Sequence, residues 1–318
     1  MNAMEKIQHK SPILTEYQEN IAAAGEDIPA AESSKAVTDM VLLEELSFAY
    51  DGQHADIHDI SLTIGKGEWV TLVGANGCGK STLIRLMNGL LRTSHGRIYI
   101  GGIRLEPGTL GEIRQKVGMV FQNPDNQFIG ATVEEDMAFG MEGRCLDAGE
   151  MRSRISRYAS RLGISSLLHR HPQELSGGQK QRAAVAAILA MEPELIILDE
   201  ASSMLDEKAR RDWLGLLQEM HNEARYTLLS ITHDAEEIAA SQRVLVMHQG
   251  GLAADLAPQE LFRDEGLLRL CRMEPPFGIR LALELEKRGM IPAQQGMADG
   301  SANPGSEVKR IWPFSWSK

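Results

Sequence analysis

Four short stretches hold residues whose types and spacing could do chemistry. GANGCGKS, Gly74 to Ser81, matches the G-x-x-x-x-G-K-[ST] pattern of a phosphate loop. In such a loop the backbone N–H groups of Gly74, Ala75, Asn76, Gly77, Cys78 and Gly79 converge on phosphate oxygens. The helix that opens around Lys80, Ser81 and Thr82 adds its positive N-terminus. Lys80 would neutralise β- and γ-phosphate charge, and Ser81 would ligate Mg²⁺. ELIILDE, Glu194 to Glu200, is an apolar strand ending in adjacent carboxylates, where unpaired charge is costly to desolvate. A Mg²⁺–nucleotide complex at that edge relieves the cost. Asp199 would hold the metal, and Glu200 would orient or deprotonate an attacking water.

LSGGQKQRAAVAAILA, residues 175 to 190, begins with a good N-cap, Ser176, and Gln179 completes a capping-box pattern. Gly177 and Gly178 make this helix start a second anion site. One complete nucleotide loop and a separate phosphate-grasping helix in the same chain suggest a head-to-tail dimer, each ATP lying between the loop of one subunit and the LSGGQ of the other. In GMVFQNPDNQFIGATVEEDMAFG, residues 118 to 140, an apolar strand gives way to Gln122 and then to a turn-rich Asn-Pro-Asp-Asn. Taken alone, Asn123 to Gln127 reads as a solvated turn. Two readings of Cys78 stay open: an alkylatable thiol that bound nucleotide shields, and a small residue with no chemical role.

These residues need rigid elements to aim them. The strand-like run WVTLV precedes the phosphate loop and the helical TLIRLMNGL follows it. Short, wholly apolar strands (WVTLVG, ELIILD, TLLSIT, RVLVM) alternate with helical patterns, which implies a parallel sheet between helix layers. Before them, VLLEELSFAY and DIHDISLTIGKGEWVTLVG supply β-rich runs. Between Gln122 and Ser176 the chain reads mostly helical, an inserted subdomain at about 123–176. LFRDEGLLRLCRM and FGIRLALELEKRGM read as two amphipathic helices of a C-terminal addition at 259–292. Residues 1–36 read as a disordered extension and 293–318 as a flexible tail. The last residues, IWPFSWSK, concentrate Trp312, Phe314 and Trp316 beside Lys318, suited to a membrane interface or a partner, or equally to packing on the chain itself or to disorder.

A formal net charge of −11 argues against a non-specific nucleic-acid binder, which needs a basic face to displace counterions. The three cysteines, Cys78, Cys145 and Cys271, are odd in number and widely spaced, as in a reducing compartment. No apolar run approaches the ~20 residues that cross a bilayer. The expected location is therefore cytoplasmic or on a cytoplasmic membrane face.

Over residues 38 to 258 the chain resembles the ATP-binding-cassette (ABC) ATPases. The resemblance implies an α/β phosphate-loop fold: a RecA-like core with an antiparallel β subdomain and a helical subdomain, within 37–258. It implies ATP and Mg²⁺ as ligands. By that match Tyr50 stacks on adenine, and Gln122 reaches the metal and attacking water while its backbone hinges the helical subdomain. Leu175 to Gln179 form the signature, and Asp206, ending SSMLD, communicates across the dimer. His233, in SITHD, contacts the γ-phosphate. Lys80, Gln122, Glu200 and His233 are thus the expected catalytic set, with Ser81, Gln122 and Asp199 on the metal.

FQNPDNQFIGATVEEDMAFG and the C-terminal EPPFGIRLALELEKRGM resemble the ATPases of energy-coupling factor (ECF) transporters, importers of vitamins and metal ions. That implies a peripheral protein at the cytoplasmic face of the cell membrane. Its expected partners are a second ABC ATPase subunit, a paralogue in preference to an identical copy, with an integral-membrane coupling protein and a substrate-binding membrane protein. The residues after Gln122 then line the groove where the membrane partner docks a helix. Two competing readings remain. One is the ATPase of a binding-protein-dependent ABC importer, which shares the chemistry; the other is a soluble cassette ATPase acting on DNA or ribosomes, disfavoured by the negative charge and the single cassette.

Overall fold

The early β-rich segments pair with one another, and the later apolar strands build a separate sheet. In the computed structural model, which describes residues 39–51, 55–144, 146–288 and 290, β1 (Asp39–Phe48) lies between β2 (Ile57–Gly65) and β4 (His95–Ile100). All of these pairs are antiparallel, and β5 (Ile103–Arg104) sits on the outer edge of β4. The second sheet runs β10-β9-β3-β8-β7-β6. Within it β9 (Arg243–His248), β3 (Trp69–Val73), β8 (Thr227–Ile231), β7 (Leu195–Asp199) and β6 (Val117–Val120) are parallel, and β10 (Gly251–Leu256) closes one edge as a hairpin. The extension at 1–36, the whole tail at 293–318 with IWPFSWSK, and Cys145 lie outside the described residues.

Strands β3 and β8 are buried at every position, the all-apolar pattern of a sheet covered on both faces. One face packs against α3 (Val133–Glu142), α4 (Ala148–Arg161), α5 (Gly177–Ala190) and α6 (Glu207–Asn222), around Val133, Tyr158, Val185, Leu198 and Leu217. The opposite face packs against the antiparallel sheet, α1 (Lys80–Met87) and α2 (Leu110–Lys116), around Leu43, Ile60, Leu72, Leu83 and Ile113. A third cluster joins Val73 and Val246 to α7 (Ala235–Ala240), α8 (Pro258–Arg263), α9 (Glu265–Cys271) and α10 (Phe277–Lys287).

The C-terminal addition differs from the sequence expectation at one point. LFRDEGLLRLCRM is not one helix but the end of α8 and all of α9. Asp264 separates them: its extended backbone (φ −91°, ψ 98°) closes α8, and its carboxylate accepts from Gly266 N and Leu267 N to cap α9. A short acidic side chain that satisfies exposed helix N–H groups competes with helix continuation. Among the described residues no helix is long and apolar enough to cross a membrane.

Candidate active site

Strand β3 leads directly into the phosphate loop, and α1 leads out of it. Gly79 caps α1 with φ 106°, in the left-handed region, and a Cβ there would lie 2.8 Å from Ile57 Cδ1. Gly77 has φ 79°, yet an added Cβ would meet nothing within 4 Å, because the loop faces a cavity at this point. That cavity, about 680 Å³, is lined by Asn76, Gly77, Gly79, Lys80, Ser81 and Thr82 of the loop, by Gln122 and Glu200, and by Ala55, Asp56, Gln249 and Gly250. Lys80 is buried, and its Nζ donates to Gly74 O at 2.7 Å and Ala75 O at 3.3 Å. These carbonyls hold the ammonium at the loop, from which it can turn to an incoming phosphate.

The C-terminal ends of β6, β7 and β8 bring the remaining reactive groups together. Gln122 follows β6, and its Nε2 donates to Glu200 Oε2 at 2.7 Å. His233 follows β8, its Nε2 3.7 Å from Glu200 Oε1. Glu200 leaves β7 in a left-handed conformation (φ 49°), and its N–H donates to Ile231 O at 2.8 Å. A non-glycine residue held at positive φ is strained, and such strain concentrates where a side chain must be aimed. Burial, then the neighbouring Glu200, raises the Asp199 carboxyl above its ordinary range, while Arg85 and Lys80 oppose. Burial and then Lys80 lower the His233 imidazole, so it is neutral at pH 7; Glu200 opposes. A neutral imidazole has one N–H to donate and one nitrogen to accept.

The donor set at this cavity fits Mg²⁺. A hydroxyl (Ser81), a side-chain amide (Gln122) and a carboxylate (Asp199) are hard oxygen donors of the type that ion takes. Ser81 and Gln122 line the same cavity, and the desolvated, charge-crowded Asp199 carboxyl is a group that a cation stabilises. No group of three or more His, Cys, Asp or Glu poised to hold a metal occurs among the described residues.

Other expected residues lie apart from this cavity. Ser176 caps α5 and Gln179 completes the capping box: Gln179 N donates to Ser176 Oγ at 3.4 Å, and Ser176 N to Gln179 Oε1 at 3.0 Å. A Cβ on Gly178 would lie 3.2 Å from Ala209 Cβ, so the signature turn packs close to the start of α6. Asp206 caps that helix, accepting from Ala209 N at 2.8 Å. None of Ser176 to Gln179, nor Asp206, lines the cavity. Tyr50 is also outside the lining; it is 54% exposed, with its ring edge-on to Phe48 at 4.9 Å. Cys78 is 6% exposed and packs in the core beneath the loop, so the structure favours the small residue with no chemical role over the accessible thiol.

Two features escaped the sequence reading. Gln249 and Gly250, the turn between β9 and β10, line the cavity. Gly250 N donates to Cys78 O and Gly250 O accepts from His58 N, both at 3.0 Å, so this hairpin braces the phosphate loop. The signal was a Gln-Gly-Gly turn, which reads as any hairpin. The Asn123 to Gln127 segment is more than a solvated turn. Asp125 pairs with Lys180 of α5 at 2.6 Å, and Gln127 Nε2 donates to Ala184 O at 3.1 Å. The segment after Gln122 is thereby fastened to the signature helix.

Comparison with known proteins places this architecture. Residues 57–203 match the model of the ABC transporter family. The chain is 42% identical over 254 residues to the energy-coupling factor transporter ATP-binding protein EcfA1 of Levilactobacillus brevis, covering 80% of this chain and 91% of that protein. It is 41% identical over 277 residues to EcfA1 of Streptococcus thermophilus, covering 86% and 99%. Among solved structures, CbiO1 of Clostridium perfringens, part of the ABC transporter complex CbiONQ, superposes with a TM-score of 0.68 at 32% identity, covering 80% of this chain and 98% of that one. A bacterial Atm1-family ABC exporter with ATP bound superposes at 0.65 and 29% identity, over 77% of this chain and 43% of the exporter. The chain belongs to the ABC transporter ATPases, in the family of energy-coupling factor transporter ATP-binding proteins.

Proposed function

We propose that this chain is the ATP-binding and ATP-hydrolysing subunit of an ECF-type importer, driving uptake of a vitamin or metal ion through membrane partners. The observation that carries the reading is the convergence of Lys80, Gln122 and Glu200 on one cavity, with His233 against Glu200. The loop N–H groups and Lys80 bind the triphosphate. Glu200 takes a proton from the attacking water, or orients it, and neutral His233 is placed beside that carboxylate to contact the γ-phosphate. Gln122 joins the nucleotide cavity to the Asp125–Lys180 and Gln127–Ala184 contacts, so a change at the γ-phosphate is passed to α5. Ser81, Gln122 and Asp199 would hold Mg²⁺, which supplies charge neutralisation at the phosphates.

The cavity lacks the signature residues, and a second ATPase subunit would complete it, its Ser176-type helix start facing the loop of this chain. Tyr50 would stack on the adenine and Asp206 would face the partner. We assign residues 37–258 to the nucleotide-binding domain, about 123–176 to its helical subdomain and 259–292 to the C-terminal extension.

A second, smaller cavity of about 300 Å³, lined by Ile129, Ala131, Glu135, Ala138, Phe139 and Glu142, lies on the helical subdomain. Ile129 is 66% and Phe139 48% exposed, an apolar rim on an acidic groove. Asp136 accepts from Ile129 N at 2.8 Å and Gly130 N at 3.2 Å, holding the rim in shape. This groove would receive a helix of the membrane coupling protein, and the chain would then lie on the cytoplasmic face of the membrane.

The test is a native pull-down of the tagged chain from membranes, with every bound chain identified. A second ABC ATPase and a small integral-membrane protein are expected, and Ile129→Glu should lose the membrane protein while retaining the ATPase partner. Recovery with an extracytoplasmic binding protein, or with nucleic acid, would replace the ECF reading.

A further inference from the structure

Glu237 is a buried carboxylate that does not line the nucleotide cavity. It lies on the first turns of α7, just beyond His233, and is 4% exposed. Its Oε2 accepts from Ser202 Oγ at 3.1 Å, and the Ser230 and Thr232 hydroxyls also donate to the carboxylate. The direction of these bonds is fixed by their surroundings. Ser230 Oγ already accepts from Trp69 Nε1 at 3.1 Å, and Thr232 Oγ1 accepts from Asp234 N at 3.0 Å. Each of those hydroxyls has one proton left, and Glu237 takes it. Three hydroxyls can donate to this carboxyl, whereas an amide in its place would turn an N–H group towards at least one of them.

The donors come from different functional segments. Ser202, itself 3% exposed, sits in the turn that begins at Glu200 and ends at Asp206; Ser203 N donates to Glu200 O at 3.0 Å and Leu205 N to Ser202 O at 3.2 Å. Thr232 immediately precedes His233. Asp234 caps α7 through Glu236 N and Glu237 N, and pairs with Arg210 of α6 at 3.3 Å. A single carboxylate therefore bridges the turn after β7 to the loop after β8.

We propose that Glu237 is a positioning residue for ATP hydrolysis: through Ser202 and Thr232 it locks the turn bearing Glu200 and Asp206 to the loop bearing His233, so that both segments move as one block. The inference rests on the ATPase reading above. Its physical content is orientation: misplacing a base by a fraction of an ångström slows the chemical step and leaves the phosphate-binding contacts in place.

The experiment is steady-state ATP hydrolysis by the full chain assembled with its co-purified partners. Glu237→Gln keeps the side-chain size and should lower kcat about tenfold with KM for ATP within about twofold, the signature of a transition-state effect. Ser202→Ala removes only the link to the Glu200 turn and should lower kcat by a similar factor. The double variant should be no slower than the slower single one, because both break one connection. Wild-type kcat in either single variant, a KM that rises in step with the fall in kcat, or multiplicative effects would overturn the inference. Should Glu237→Gln fail to fold, Ser202→Ala decides alone. Glu200→Gln, run in parallel, reports on the ATPase reading itself: wild-type turnover by that variant sinks the reading, whereas a dead Glu200→Gln beside an unaffected Glu237→Gln sinks only the inference.

Discussion

Replacing Gly77 by alanine separates phosphate binding from folding. Its φ of 79° places an alanine in the left-handed region, and the added Cβ meets no protein atom within 4 Å. The folding cost is then the conformational term alone, about 1–2 kcal/mol. For a domain of this size that lowers Tm by about 2–8 °C. The Cβ projects instead into the cavity where the triphosphate must lie against the loop. Losing one N–H bond to a charged phosphate oxygen removes about 1.5–3 kcal/mol, which weakens ATP binding by about 10–150-fold.

Gly79→Ala provides the contrast. Its Cβ would lie 2.8 Å from Ile57 Cδ1 and 3.1 Å from Asp56 O, with φ at 106°, so the fold itself should suffer more than in Gly77→Ala. Gly108→Ala, in open space with no special backbone demand, should change neither property. Fluorescent-nucleotide titration and thermal unfolding on the same preparations supply the two readings. ATP affinity within threefold of wild type for a folded Gly77→Ala protein would refute the assignment of this cavity to phosphate.

Further expectations follow from the same geometry. Glu200→Gln retains an oxygen that can accept from Gln122 Nε2, so ATP binding and Tm should hold. Hydrolysis should fall by about 10²–10⁴-fold through loss of the base, and single-turnover assays above a tenth of the wild-type rate would remove Glu200 from that role. Burial pushes the Glu237 carboxyl up to about 7 from an ordinary 4.5, with Asp234 adding to the rise and the Ser230, Ser202 and Thr232 hydroxyls opposing it. Because the folded protein favours the protonated acid, this contribution to stability is complete below pH 4.5 and is lost as pH rises through about 7. Urea unfolding should show the stability difference between wild type and Glu237→Gln shifting against the wild type by ~3 kcal/mol across that window. Parallel pH dependences for the two proteins would contradict it.

The sequence by itself determined the parts whose chemistry depends on residue type and local spacing. Gly74 to Ser81, Asp199 with Glu200, and the Ser176 capping box could be read because a loop, a strand end and a helix start need only neighbours a few positions away. The parallel order of the central strands was legible for the same reason, since all-apolar runs alternating with helices have few other ways to be buried. Asp264 as a helix break was also local, but its cost had to be weighed against an apolar pattern that continued through it.

Tertiary structure alone decided what lies across from what. Cys78 turned into the core, Gln249 and Gly250 arrived at the phosphate loop from a distant hairpin, and Lys180 found Asp125. The Glu237 carboxylate, an unremarked acid in AEEIAA, became the bridge between two reactive loops. Such pairings carry no local signal, because desolvation and hydrogen-bond direction exist only once separate segments of chain enclose a group and exclude water from it.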